Sequence, residues 1–396
     1  MKMKMNRRDL LKLAGLSTIA VSAGFPHDSV GEMKMQKSAS QTSDDKFLGK
    51  QPSKGKCMIV DVQTHIHPPN WTKELVEKGF IDVRGGKPIA CRWHGVSLSV
   101  VEDMMNLEKQ MRVSAEAGVT HRLLGFSMIT TYINDAFGTP TIEVAKIHND
   151  FHAQVRGKYP QVTFPYGTVK PHDGKDAVRE AERCVEKLGF KGLIIESSYG
   201  TNNRQYNHTA ETFDFWEYVN DKRIPVFIHP PMLSYGWEWM DRYRFEETVA
   251  RPNDTALNAS LMIMSGLFDR FPNLRIILPH MGGSLLMCLP RLEFGHRLGY
   301  EGLYGYQQAK IQKTPTEYLK KHFWVDIMGF YPPGIKHAIE VLGVERVLFG
   351  SDYGALPMSP KEHIDIVRNT LGLTDEDQDK ILGLNAKTLF DLPDPT

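Results

Sequence analysis

The chain has 396 residues, 41% of them hydrophobic and 24% charged, which is the composition of an ordinary globular protein with ample length to bury a core. That composition excludes a disordered or membrane-embedded chain. A balance of 48 basic against 47 acidic side chains removes any electrostatic case for binding nucleic acid.

At the amino terminus, Lys2, Lys4, Arg7, Arg8 and Lys12 precede or punctuate an apolar run from Leu13 to Val21 that ends at the small residues Ser22 and Ala23. This is the pattern of a signal peptide over residues 1–23, and its apolar run is too short to span a bilayer. Within it, Asn6-Arg7-Arg8-Asp9-Leu10-Leu11-Lys12 looks like a twin-arginine export signal, which implies a periplasmic or extracellular protein transported already folded, often around a cofactor. Cleavage after Ala23 would remove five basic residues and Asp9, leaving a mildly acidic mature chain with no membrane span. Residues 24–56 are rich in Ser, Lys, Gln and Gly without periodicity and read as a flexible tether to a domain over 57–396.

From there short apolar runs alternate with longer amphipathic ones, eight times over. The strand-like runs are Met58–Val62, Gly118–Leu124, Gln161–Val169, Gly192–Glu196, Ile224–His229, Leu274–His280, Phe323–Ile327 and Arg346–Asp352. Helical patterns lie between them, such as Asp176–Leu188 with an apolar face of Ala177, Val178, Ala181, Cys184, Val185 and Leu188. Leu188-Gly189 and Leu342-Gly343 carry the glycine that stops a helix. Eight strands separated by helices predict an α/β fold, a single (β/α)8 TIM barrel, with a doubly wound open sheet as the alternative.

Two connections are long, Pro68–Asn106 after the first strand and Pro230–Ala259 after the fifth, and both would lie over the barrel mouth. The second holds Tyr235, Trp237, Trp239, Tyr243 and Phe245, too many aromatics for a solvated loop; they suggest a lid or a contact between two copies of the chain, a homodimer. Cys57, Cys91, Cys184 and Cys288 are too widely spaced for a metal knuckle, and Cys184 reads as a buried thiol.

Catalytic groups of such barrels sit at the carboxyl ends of strands, and several ends here carry ligand-type residues. His65 follows the first, His229 the fifth, and Asp352 the eighth; His280, after the sixth, suits a general acid or base near neutral pH. Any one of these alone fits a hydrogen-bonded core residue or a helix cap. Together, three imidazoles and a carboxylate from four strands predict a divalent-metal site with an open position for water or substrate.

Ser265-Gly266-Leu267-Phe268-Asp269-Arg270-Phe271-Pro272-Asn273-Leu274, followed by Leu278-Pro279-His280-Met281-Gly282-Gly283, resembles a signature of the amidohydrolase superfamily, in the branch of aminocarboxymuconate-semialdehyde decarboxylase and the aromatic-acid decarboxylases. Phe349-Gly350-Ser351-Asp352-Tyr353 and Gly189-Phe190-Lys191-Gly192 match its eighth- and fourth-strand motifs, so the resemblance runs from Val60 to about Leu392. It implies a metal-dependent hydrolase or decarboxylase of a small carboxylated aromatic or cyclic substrate, holding one divalent ion, zinc or manganese. His65, His229 and Asp352 would be metal ligands, His280 and Asp352 catalytic, and Arg92 a partner for the substrate carboxylate. The family's first strand reads Asp-x-His-x-His, whereas here it reads Asp61-Val62-Gln63-Thr64-His65-Ile66-His67. Gln63 thus stands at the first ligand position, binding through its amide oxygen or replaced by His67 from beyond the strand end. That departure keeps two other readings in view, a metal-independent lactone hydrolase and a non-catalytic ligand-binding protein on the same scaffold.

Overall fold

The computed structural model describes residues 57–396 apart from 94–95, 100–101, 126–140, 201–203, 241, 299–310 and 357. Eight parallel strands form its centre: β1 Val60–His65, β2 His121–Gly125, β3 Tyr166–Thr168, β4 Gly192–Glu196, β5 Pro225–His229, β6 Arg275–Leu278, β7 Phe323–Asp326 and β8 Val347–Leu348. β1 pairs with β2, and β3 to β8 form a six-stranded sheet in which sequence neighbours are spatial neighbours. Backbone hydrogen bonds continue past these ladders. The amide of Phe164 donates to Arg122 O at 2.8 Å, while those of Val62 and His65 donate to Phe349 O and Tyr353 O at 2.9 and 3.1 Å.

Side chains two apart in a strand share a face, and the packing follows that rule. Val60, Leu123, Tyr166, Ile194, Phe227, Ile277 and Leu348 meet in an inner apolar cluster, joined by Ala386, Leu389 and Phe390 of the last helix. Their neighbours Leu193, Ile195, Val226, Ile228, Ile276, Val325 and Val347 face the other way and pack with helix residues such as Phe215, Ala259 and Ile335. Each fully buried aliphatic side chain contributes about 1.5–3 kcal/mol, so the alternation on both faces settles which residue of each strand points inward. At the carboxyl ends those inward positions pass to polar residues: Glu196 on β4, His229 on β5 and Asp326 on β7, all buried.

Several boundaries differ from the sequence reading. β8 has only two residues, because the backbone past Phe349 turns away and Asp352 adopts φ 55°. β6 stops at Leu278, since His280 and Met281 also have positive φ. The predicted loop Pro230–Ala259 ends earlier, with the helix Arg251–Met264 beginning at its Arg-Pro start. Asp176–Leu188 is an α-helix over Lys175–Glu182 that widens into a π turn at Arg183–Lys187 before Gly189 at φ 68°. The connection after β1 carries a helix, Pro69–Glu77, and a three-stranded antiparallel sheet, Ile81–Arg84, Lys87–Trp93 and Val96–Ser99. Cys184 is buried and, like Cys57 and Cys288, a free thiol. Among the described residues no helix is long and apolar enough to cross a membrane.

Candidate metal centre

His65 is the last residue of β1 and His229 the last of β5, and their rings meet edge to face with centroids 5.0 Å apart. Asp352 comes in from the loop after β8, its Oδ1 2.8 Å from His65 Nε2. One donor atom from each of His65, His229 and Asp352 lies within 4.8 Å of the others, and all three residues are buried.

The protons of these imidazoles are already assigned by their backbone partners. His65 Nδ1–H donates to Gly125 O at 3.1 Å and His229 Nδ1–H to Pro230 O at 2.9 Å. A carbonyl can only accept, so in the neutral rings each Nε2 carries a lone pair. His65 Nε2 and Asp352 Oδ1 are therefore two acceptors facing each other at 2.8 Å, and neither finds a hydrogen bond inside the protein. Such a pair is repulsive unless a cation or proton lies between it. Backbone carbonyls that orient metal-binding histidines in this way are the usual second layer of a metal site.

His280 stands on the other side of Asp352, its Nε2 3.6 Å from Oδ2. Gln63, from β1, donates its amide N–H to the same nitrogen at 3.1 Å, and its Oε1 is buried with no hydrogen-bond partner. Burial pushes His229 well below the ordinary imidazole range and His280 below it as well, the Asp352 carboxylate opposing the shift at His280. For Asp352, burial alone would raise the pKa; the neighbouring His280 and His65 rings outweigh it and hold the carboxylate ionised.

Gln63 faces this site because the β1–β2 register shifts between Asp61 and Thr64. Val62 packs in the inner cluster, yet the next residue, Gln63, reaches His280, which strict alternation forbids and a bulge permits. Asp61 anchors the same bulge, accepting from the Gln63 amide at 3.3 Å, the Ser351 amide at 3.0 Å and Ser351 Oγ at 2.5 Å. It thereby ties β1 to the turn that carries Asp352.

The structure brings together Gln63, His65, His229, His280 and Asp352. His67 is not among the converging donors: it follows the end of β1, and its buried ring feels His148 and His152 of the helix Thr141–Lys158 as well as His65. Arg92 belongs to the middle strand of the antiparallel sheet, and its side chain lies outside the described residues.

Three residues absent from the sequence reading also bear on the site. Asp326 Oδ1 accepts from the His280 and Met328 amides at 2.8 and 3.1 Å and so holds His280 in its left-handed conformation. Glu196, buried at the end of β4, is the register partner of His229. Arg251 opens the helix after β5, and its charge acts on both His229 and His280. The two acids end strands just as His229 does, so the strand-end argument applied to carboxylates would have found them; Arg251 had no such signal.

The family model described as an amidohydrolase, Amidohydro_2, matches residues 62–392. The chain is a member of that family. It is 30% identical over 306 residues to the gamma-resorcylate decarboxylase of Polaromonas sp. strain JS666, covering 72% of this chain and 87% of the relative. It is 27% identical over 246 residues to the 2-amino-3-carboxymuconate-6-semialdehyde decarboxylase of Dictyostelium discoideum, covering 62% and 66%. Its fold is similar to that of a dihydroxybenzoic acid decarboxylase from Polaromonas sp. JS666, solved with bound manganese and the inhibitor 2-nitroresorcinol. That match has a TM-score of 0.67 at 23% identity, over 85% of this chain and 97% of the other. Membership in this amidohydrolase family agrees with what the motifs around His280 and Asp352 imply.

Proposed function

We propose that this protein is a metal-dependent carboxy-lyase that releases carbon dioxide from a small aromatic acid. The observation that carries the reading is the convergence of His65, His229 and Asp352 within 4.8 Å, with His280 beside Asp352. The donor set fits a divalent ion, manganese or zinc: two neutral imidazole nitrogens and a carboxylate oxygen whose lone pairs face one another, with the orphaned Gln63 Oε1 as a fourth donor. Bound there, the ion would supply a Lewis acid that draws electron density from the oxygens next to the bond that breaks.

The remaining work falls to the chain. Loss of carbon dioxide breaks the bond between the ring carbon and the carboxyl carbon, leaves the electron pair on the ring, and requires a proton at that carbon. His280, 3.6 Å from the Asp352 carboxylate that favours its protonated form, is placed to hand it over. Arg251, and Arg92 as the sequence suggests, would hold the substrate carboxylate by charge.

Decarboxylation is favoured over hydrolysis, and over the metal-independent lactone hydrolase and non-catalytic readings, because both curated relatives described above are decarboxylases. The test is a panel of hydroxybenzoates and lactones assayed for carbon dioxide and for acid production. Carbon dioxide release that His280→Ala and Asp352→Asn abolish is expected; acid from a lactone without carbon dioxide, or binding without turnover, would overturn the proposal.

Three further parts of the reading belong here. Closure of the eight strands into a TIM barrel is supported by the backbone hydrogen bonds from β1 to the chain around β8 and from β2 to the chain before β3. Export rests on the Arg7-Arg8 motif and is tested by fractionation of Arg7→Lys/Arg8→Lys cells. A homodimer is supported by the exposure of Trp239 and Tyr243 in the aromatic loop and is tested by sedimentation of the wild type against Trp239→Ser.

A further inference from the structure

At the opposite end of the strands from the metal centre lies a cavity of ≈ 520 Å³ whose lining includes Arg223, Arg275, Lys321, Trp324, Glu345 and Arg346. Its position follows from where these residues fall: Arg275 opens β6, Trp324 is the second residue of β7, and Arg346 immediately precedes β8. His229 and Asp352, by contrast, stand at or beyond carboxyl ends.

Four cations thus surround one cavity. Among the described residues none of the four makes an ion pair with a carboxylate within 4.0 Å, and the one acid in the set, Glu345, is engaged by Lys380 at 3.5 Å. The Arg346 guanidinium lies over the Trp324 ring at 4.0 Å, and its Nη1 is buried with no hydrogen-bond partner. Arg275 donates only a long bond, 3.4 Å, to Leu389 O. Burial pushes both guanidinium groups below their usual range; Arg223 adds to the effect at Arg275, and Glu345 opposes it at Arg346. Four cations around one acid leave an excess of positive charge, which is unfavourable where it is partly buried. Arginine is the residue suited to holding planar or tetrahedral oxyanions by two bonds at once, and the volume is that of a small-molecule site.

We propose that this cavity binds a small oxyanion, a phosphate or carboxylate group carried by a small molecule, with Arg275 and Arg346 on its floor and Arg223 and Lys321 at its rim. The Trp324 ring braces Arg346 from one side, so the guanidinium edge is the part offered to the ligand. The site is separate from the metal centre and does not depend on the reaction assigned there.

Isothermal titration of inorganic phosphate, and in parallel of malonate, into the metal-loaded protein at constant ionic strength tests it. One saturable site is expected for at least one of the two anions, and the tighter one identifies the group. Arg275→Gln/Arg346→Gln should weaken binding about tenfold or more, given the strength of charge-assisted hydrogen bonds. Arg223→Gln/Lys321→Gln changes only exposed side chains and so keeps the fold; it should weaken binding about threefold or more. Asp352→Asn should leave the affinity unchanged. Heats no larger than those of added chloride, binding by both charge-removing variants equal to wild type, or loss of binding in Asp352→Asn would each overturn the proposal.

Discussion

His65 Nε2 and Asp352 Oδ1 face each other at 2.8 Å as two lone pairs, because the only proton His65 carries when neutral is given to Gly125 O. The contact joins the end of β1 to the turn after β8, so the first and last strands meet at the position where a cation is needed. Removing either group should therefore empty the site as well as slow the reaction. In His65→Ala, His229→Ala and Asp352→Asn, metal content measured by elemental analysis is expected to fall from about one ion per chain to a small fraction, with kcat down by roughly 10²–10⁴. Chelation of the wild type should do the same and be reversed by added manganese or zinc. Full activity in metal-free protein would disprove the metal assignment.

Gln63 supports His280 through one hydrogen bond, and its Oε1, buried without a hydrogen-bond partner, is the proposed fourth donor. Gln63→Ala loses both, and kcat is expected to drop about fivefold with a smaller change in KM, since one hydrogen bond of this kind is worth about 1 kcal/mol. Gln63→His, which restores the family's imidazole at this position, should hold metal more tightly in a competition with a chelator. Weaker retention than wild type would show that Gln63 does not point at the ion.

His280 and Asp352 both occupy left-handed backbone conformations, φ 56° and 55°, which cost of order 1–3 kcal/mol each and persist only where surroundings enforce them. At His280 the enforcing group is Asp326, through the bond from the His280 amide. Burial raises the Asp326 carboxyl well above its usual range. Asp326→Asn keeps an acceptor of the same shape and should cost little, whereas Asp326→Ala leaves two buried amides without a partner and should lower stability by about 1–3 kcal/mol per lost bond. Thermal melts and kcat measured on both variants separate these outcomes; equal damage from Asn and Ala would rule out the acceptor role.

Four buried histidines outside the ligand set fix an acid limit on stability. Burial lowers His148, His322 and His363 to about 4 and His152 to about 3. Unfolded, each charges near pH 6.5; folded, each stays neutral to much lower pH. The unfolded chain therefore binds more protons between pH 6.5 and about 4, and stability falls as pH falls through that window. Urea midpoints should drop steeply from pH 6.5 to 4.5. His148→Gln, which keeps a donor for Val144 O, should flatten that slope by up to about 3 kcal/mol over the window. An unchanged slope would exclude His148 as a contributor.

Much of this arrangement is legible in the chain. Gly192–Glu196 is a strand with the very bounds that its apolar run predicts, and His229 lies inward at the end of β5 as expected. The apolar runs at β6 and β8 were read as longer than they are, because composition cannot show where the backbone turns to positive φ at His280 and Asp352. Alternation along β1 also misleads. It places Gln63, His65 and His67 on one face, but the bulge after Asp61 shifts the register and β1 ends at His65, so His67 lies beyond the strand, where it feels His148, His65 and His152.

The chain by itself determined the order of alternating strands and helices and which residue types end the strands, because burial on two faces demands long apolar runs and a site at their ends demands polar residues. Tertiary structure decided which of those residues meet. The approach of His65 to Asp352, the placing of Gln63 on His280, the hold of Asp326 on the His280 backbone, and the gathering of Arg275 and Arg346 at the far end all join segments separated by many residues along the chain. Such distances depend on strand register, bulges and backbone dihedrals, which arise only when the eight strands pack together.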